Sequence, residues 1–101
     1  MDAALRAIAE PHRREILRLV RDEELAAGQI AARFDITRAA VSQHLRVLKE
    51  ADLVTERRAG TSRLYRARPE GISEVRAWLD DYWGNGLEAL KGAVEWNRRR
   101  G

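Results

Sequence analysis

Apolar residues recur along this chain with two different periods, and the places where the period changes divide it into elements. Leu5 and Ile8 share one side of a short helix over residues 2–9. Pro11 suits the first turn of a second helix, where a missing backbone N–H costs nothing. Ile16, Leu17 and Val20 give that helix its apolar face, and Arg13, Arg14, Arg18 and Arg21 stay outside. A third helix is expected over 25–34, where Ala27, Ile30, Ala31 and Phe34 follow i, i+3, i+4, i+7 spacing. Asp22, Glu23 and Glu24 precede it, where the helix dipole favours negative charge. Gly28 inside it costs about 1 kcal/mol relative to alanine.

The brief link Phe34-Asp35-Ile36 then leads into a strongly amphipathic stretch from Thr37 to Ala51. Val41, Leu45 and Leu48 fall in one narrow stripe, while Ala39, Ser42, Gln43, Arg46 and Lys49 occupy the opposite face. Thr37 is a natural N-cap, and Ile36 and Val41 are spaced for a hydrophobic staple. Ala40 stands where an acid would complete a capping box. Helices joined by so short a link cross steeply, which is the helix-turn-helix arrangement, here over residues 25–51.

Beyond Asp52 the pattern becomes strand-like. Residues 53–58 and 62–67 flank Ala59-Gly60-Thr61 as two arms of a hairpin, a wing over 53–68 whose tip is bounded by Arg57, Arg58 and Arg63 with Arg66 further along. Pro69 and Gly71 separate it from a long amphipathic helix over 72–97, built on Ile72, Val75, Leu79, Tyr82, Trp83, Leu87, Leu90 and Val94 and flanked by Trp78 and Trp96. Gly84-Asn85-Gly86 softens that helix or breaks it, since two glycines cost about 2 kcal/mol in a helix interior. The expected fold is mainly α with a small β-hairpin, a winged helix-turn-helix of order α-α-α-α-β-β-α forming a single domain over residues 1–101. A domain this small buries only roughly two-thirds of its unfolded surface. Dimerisation through Ile72, Val75, Leu79, Tyr82, Trp83, Leu87 and Leu90, together with Leu5 and Ile8, is the natural way to cover the last helix.

Charge sharpens this picture. The net charge is only +3, but residues 33–68 carry nine basic and four acidic side chains, whereas residues 70–96 carry two basic and six acidic. The positive charge is confined to the helix-turn-helix and its hairpin, with Arg98, Arg99 and Arg100 as a basic tail, the footprint of a nucleic-acid surface. Short polar groups and Arg38 on the first turns of the 37–51 helix suit base edges in a major groove. Gln43 is matched to adenine and Arg38 or Arg46 to guanine, with Ala39 and Ser42 beside them; Thr37, His44 and Lys49 are placed to position the helix on phosphates. Arg57, Arg58 and Arg63 serve the wing's phosphate or minor-groove contacts. The alternative class is a winged-helix protein-interaction module without DNA binding, which calls for a neutral or acidic face. A second alternative keeps DNA binding and adds an organic effector in a pocket lined by Trp78, Tyr82 and Trp83.

No run of 18 apolar residues spans a membrane, the N-terminus lacks the apolar core of a signal peptide, and cytoplasmic residence is the default expectation. There is no cysteine, hence no disulfide or thiolate metal site. No Gly-rich phosphate loop, nucleophile elbow or paired catalytic carboxylates occur, so an enzyme is not expected.

The runs AEPHRREIL at 9–17, QIAARFDITRAAVSQHLRVLKEADLV at 29–54 and RRAGTSRLYRA at 57–67 resemble the ArsR-type winged-helix repressors of bacteria. The last segment looks like the branch of metal-independent autorepressors. The resemblance implies a homodimer that binds an imperfect palindrome in double-stranded DNA and represses transcription. The thiolate site of the family's metal sensors falls on Glu24-Leu25-Ala26-Ala27-Gly28 here, which contains no thiol. The last helix offers Asp80, Asp81 and Glu88 but no histidine. No metal or other cofactor is therefore expected. His12 reads as exposed, and His44 as structural or phosphate-contacting.

Overall fold

Pro11 begins a helix because its missing N–H would have had no partner there, and the Glu10 carboxylate completes the start by accepting from the Arg13 amide at 2.9 Å. Thr37 does the same for the fourth helix, its Oγ1 accepting from the Ala40 amide at 3.1 Å. The structure, a computed structural model, describes residues 1–82. The expectations for Trp83, Leu87, Leu90, Val94 and Trp96, for Gly84-Asn85-Gly86 and for the Arg98–Arg100 tail lie outside the described residues. The order is α1 (Asp2–Ile8), α2 (Pro11–Asp22), β1 (Leu25–Ala26), α3 (Ala27–Ala31), α4 (Arg38–Glu50), β2 (Val54–Ala59) and β3 (Ser62–Ala67). Residues 69–82 form a further helix, α5, up to the end of the described region.

The winged helix-turn-helix is present, with one correction to its middle. The helix expected over 25–34 is a two-residue strand followed by a single helical turn. Leu25 pairs with Tyr65 and Ala26 with Leu64, so β1 covers the outer edge of β3 and makes a three-stranded antiparallel sheet of order β1-β3-β2. Glu23 and Glu24 therefore lead into a strand and not into a helix dipole. The Gln29 side chain accepts from the Ala26 amide at 2.8 Å and starts α3. Its end comes at Ala31, where the amides of Arg33 and Phe34 close tight turns onto Ile30 and Ala31. The link to α4 is thus longer than Phe34-Asp35-Ile36. Phe34 and Ile36 still pack on the core, which keeps the two helices in contact.

That core is centred on α4. Val41, Leu45 and Leu48 are buried together with Ile16 and Val20 of α2, Ile30 of α3 and Leu53. Each such side chain stabilises the fold by about 1.5–3 kcal/mol, so α4 cannot roll about its axis without losing several kcal/mol. In α1 the buried positions are Ala4 and Ala7, whose small side chains allow close approach, while Leu5 and Ile8 pack half-buried at the margin. The hairpin turn is tighter than expected: Ala59 pairs with Ser62, leaving Gly60 and Thr61 as the turn. Gly60 takes φ of +62°, as the first central residue of a type II′ turn requires.

The exit from α4 fixes everything that follows. Asp52 adopts φ of +59°, the Leu53 amide donates to the Leu48 carbonyl at 3.0 Å, and the Asp52 amide donates to the Lys49 carbonyl at 3.0 Å. These are the paired bonds of a Schellman motif. The Arg68 amide then donates to the Leu53 carbonyl at 2.8 Å and brings the start of α5 against this turn. Gly71 sits so close that a Cβ there would lie 2.1 Å from the Asp52 carbonyl oxygen. Among the described residues no helix is long and apolar enough to cross a membrane.

Gly71→Ala is expected to destabilise the protein by about 1–3 kcal/mol, because backbone and not a flexible side chain must move. Gly60→Ala costs less, having no atom within 4 Å and only its positive φ against it. Denaturant unfolding of both variants against the parent checks the order.

Candidate nucleic-acid interface

Because the apolar stripe of α4 faces inward, Arg38, Ala39, Ser42, Gln43, Arg46 and Lys49 are all exposed, as the sequence pattern demands. Thr37 is exposed as well, with its hydroxyl committed to the cap. Among the described residues Arg38, Ser42 and Gln43 have no hydrogen-bond or ion-pair partner, so their donors and acceptors are unspent. Arg46 pairs with Glu50 at 3.2 Å within the same helix, an exposed i,i+4 pair worth little in water.

The wing divides its arginines between two faces. Successive strand residues point to opposite sides, and the register sets Arg58 directly opposite Arg63 and Arg57 opposite Leu64. On the Arg58 side, mostly covered Glu56 receives Arg63 at 3.2 Å and Lys49 of α4 at 3.5 Å. Burial and a hydrogen bond to Glu56 push the Tyr65 hydroxyl above its usual range. Glu56 thus ties the wing to α4, while Arg58 has no ion pair among the described residues. Arg58 and Arg63 are like charges placed face to face, an arrangement an anion relieves. A cleft of about 410 Å³ runs between the start of α4 and this side of the sheet, with Arg38, Ser42, Ser62 and Arg63 on its walls.

Arg57 corrects the expectation of a uniformly nucleic-acid-facing tip. Its guanidinium forks onto Glu24, with Nε donating to Oε2 at 3.1 Å and a second, shorter bond to Oε1. That hydrogen-bonded fork holds the Glu24 carboxyl below its ordinary range and raises Arg57 above its own. Arg57 therefore braces β2 to the segment before β1. Nothing in the sequence flags this pair, whose members are 33 positions apart.

His44 and His12 are the second correction. His44 does not face outward: it turns toward α2, where its ring stacks on His12 with centroids 5.7 Å apart and planes 16° apart. His12, expected to be exposed, is half-buried, with Nδ1 bonded to Glu10 Oε1 at 2.8 Å and the edge of Phe34 against its ring. The position of His44 at the edge of the apolar stripe was the only sign of this. Burial pulls the His44 imidazole below its ordinary 6.5, with Arg13 and His12 adding to the effect and Glu10 opposing it. At Glu10, burial would raise the carboxyl, but the bonds from His12 and the Arg13 amide outweigh it and hold it below 4.5. Arg13, expected outside, donates to the Ala7 carbonyl at 2.7 Å and the Arg6 carbonyl at 3.2 Å, closing the end of α1, and lies 3.4 Å from His44 Nδ1. Glu10, His12 and His44 together bring three metal-ligating atoms within 4.8 Å of one another.

The expected dimer residues separate into presented and internal ones. Ile72 is 38% and Tyr82 63% exposed, and Leu79, Leu5 and Ile8 are partly covered. Val75 is buried in the core of the chain and lines the floor of the groove between α5 and that core. Ile8, Leu17, Leu53, Ile72 and Leu79 line an apolar groove of about 360 Å³. Trp78 and Tyr82 do not line it; their rings stack on each other at 5.3 Å along α5, and Trp83, the third residue of the expected effector pocket, lies outside the described residues.

A helix-turn-helix domain family matches residues 8–57. Over 94 residues the chain is 43% identical to the HTH-type transcriptional regulator Rv2034 of Mycobacterium tuberculosis, covering 93% of this chain and 88% of that protein. The crystal structure of a "possible transcriptional regulator for arsenical resistance" superposes with a TM-score of 0.80 at 42% identity, covering 89% of this chain and 94% of that one. A solution structure from Mycobacterium bovis, described as a homodimeric winged helix-turn-helix DNA-binding domain of a possible ArsR-family regulator, superposes with a TM-score of 0.67 at 29% identity, covering 85% of this chain and 80% of that one.

The histidine cluster gives a pH dependence of definite sign. His44 is held below its ordinary value, so its contribution to stability is full above 6.5 and is lost as the pH falls through its folded-state value. Glu10 is held below 4.5 and keeps its contribution until the pH drops beneath that. The melting temperature is therefore expected to fall between 6.5 and 4.5, with a shallower fall in His44→Gln; a series of thermal melts across that window checks both.

Proposed function

The chain belongs to the ArsR-type family of winged helix-turn-helix transcriptional regulators, and we propose that it is a homodimeric repressor reading a palindromic operator in double-stranded DNA. It is a DNA-binding regulator and no enzyme. The observation that carries the finer reading is the exposed face of α4, where Arg38, Ser42 and Gln43 stand with unspent polar groups beside the cleft to Arg63. A major groove admits a helix, and glutamine matches the donor–acceptor pair of adenine as arginine matches that of guanine. Gln43 with Arg38 or Arg46 reads bases, Ala39 and Ser42 allow close approach, and Thr37 and Lys49 orient the helix on the backbone. Arg58 and Arg63 take phosphates beside the groove. Arg57 and His44 have no part in this contact, being engaged with Glu24 and His12.

Self-association is supported by the apolar groove between α5 and the core and by the homodimeric description of the M. bovis relative. Ile72, Leu79, Tyr82 and Ile8 are the described residues that supply it, with Trp83, Leu87 and Leu90 proposed from their spacing. Two copies of α4 related by a two-fold axis suit half-sites about 34–36 Å apart. Occupying such an operator represses by excluding polymerase. Binding needs no metal at the family's thiolate position, where Leu25 and Ala26 are strand residues paired with β3. A protein-interaction module is disfavoured by the unpaired Arg38 and Arg58 on the outward face.

In gel-shift titrations, Gln43→Ala is expected to lower the preference for operator over random DNA by about 1–3 kcal/mol. An unchanged preference would falsify the major-groove assignment. Arg58→Ala is expected to weaken binding to both DNAs and reduce the salt slope by about 1, while Arg57→Ala leaves that slope close to the parent's. Ile72→Asp is expected to shift sedimentation from dimer to monomer with helical circular dichroism retained; a dimer of undiminished stability would remove the groove from the interface.

A further inference from the structure

Glu10, His12 and His44 form a cluster that DNA reading does not use. Glu10 caps α2, His12 lies in its first turn, and His44 comes from the middle of α4, so the three groups meet only because the two helices cross. We propose that they constitute a binding site for a borderline divalent cation, Zn2+ above all, with Glu10 and the two imidazoles as ligands and a fourth position open to water. Two imidazoles and one carboxylate are a ligand set that zinc accepts in a tetrahedron with one solvent position. The edge of such a tetrahedron is about 3.4 Å for bonds of about 2.1 Å. Two separations bracket that edge: His12 Nδ1 stands 2.8 Å from Glu10 Oε1, and His44 Nδ1 stands 3.9 Å from Glu10 Oε2. The second distance is too long for a hydrogen bond. All three ligating atoms lie within 4.8 Å of one another, and closing on an ion requires the two near-parallel rings to turn so that their in-plane lone pairs converge.

The setting favours a resident ion. All three side chains are partly covered, and the Phe34 ring stands against His12. Burial holds the His44 imidazole below its ordinary value, which favours the neutral form that a metal ion takes as ligand. Among the described residues the adverse group is the Arg13 guanidinium, 3.4 Å from His44 Nδ1. It is also bound to the Ala7 and Arg6 carbonyls, and on ion entry it keeps those bonds and gives up only His44. The ion then clamps α4 to the start of α2 from the side opposite the DNA face. Operator binding as proposed above does not require it.

The sequence contains two histidines, so one single-histidine variant assigns both signals. Titrating the intact protein with Zn2+ is expected to show one ion per chain by calorimetry, both imidazole resonances moving together and the melting temperature rising. Mg2+, a hard ion that prefers oxygen ligands, is expected to do none of this. His12→Gln, whose fold is checked by its helical circular dichroism in the absence of metal, is expected to weaken zinc binding at least about tenfold and abolish the thermal gain. The site is refuted by the absence of stoichiometric zinc, by movement of only one imidazole, or by equal affinity in His12→Gln.

Discussion

One helix face must be buried for this protein to exist as a fold, and it is the inner stripe of α4. Val41, Leu45 and Leu48 lie at the centre of a core to which α2, α3 and Leu53, just past the turn that closes α4, each contribute a fully covered side chain. That burial sets the rotation of α4, and rotation decides which residues look outward. Ser42 and Gln43 reach solvent because their neighbours Val41 and Leu45 cannot. The outward polar face proposed to read bases is thus a by-product of packing.

Electrostatics adds a second layer, arranged by the pleat of the sheet. The basic excess over residues 33–68 looks like one patch in the sequence, but the strands sort it. Glu24 absorbs Arg57 on one side, and Glu56 gathers Lys49 and Arg63 on the other, so few cations near α4 are left unpaired. Both acids are partly covered and belong to the framework, which fixes the direction in which positive charge points.

The long periodic elements were legible because their spacing repeats over several turns: α2, α4 and the wing stand where the apolar pattern put them. Gly60 and Pro11 were legible for a different reason, since their backbone chemistry allows few alternatives. What the pattern misses is short or shared. A two-residue strand such as Leu25-Ala26 has no period of its own and exists because β3 has an edge to cover. Its alanines and Ile30 fit helical spacing equally well, so the third helix was read too long at both ends. His12 and His44 sit 32 positions apart, and their stacking depends on how α2 crosses α4. The Arg57–Glu24 fork likewise appears only once the sheet is assembled.

At the joint after α4, Gly71 rests on the Asp52 carbonyl with no side chain between them. Contacts made through side chains have play: a rotamer changes, a methylene is lost, and the angle between two elements drifts. A contact of backbone on backbone has no such adjustment. The orientation of α5 relative to α4 is therefore insulated from substitutions elsewhere in the core. In an assembly held through α5, that joint works as a gauge, setting the pitch at which two reading helices are offered while their surfaces remain free to diverge toward other sequences.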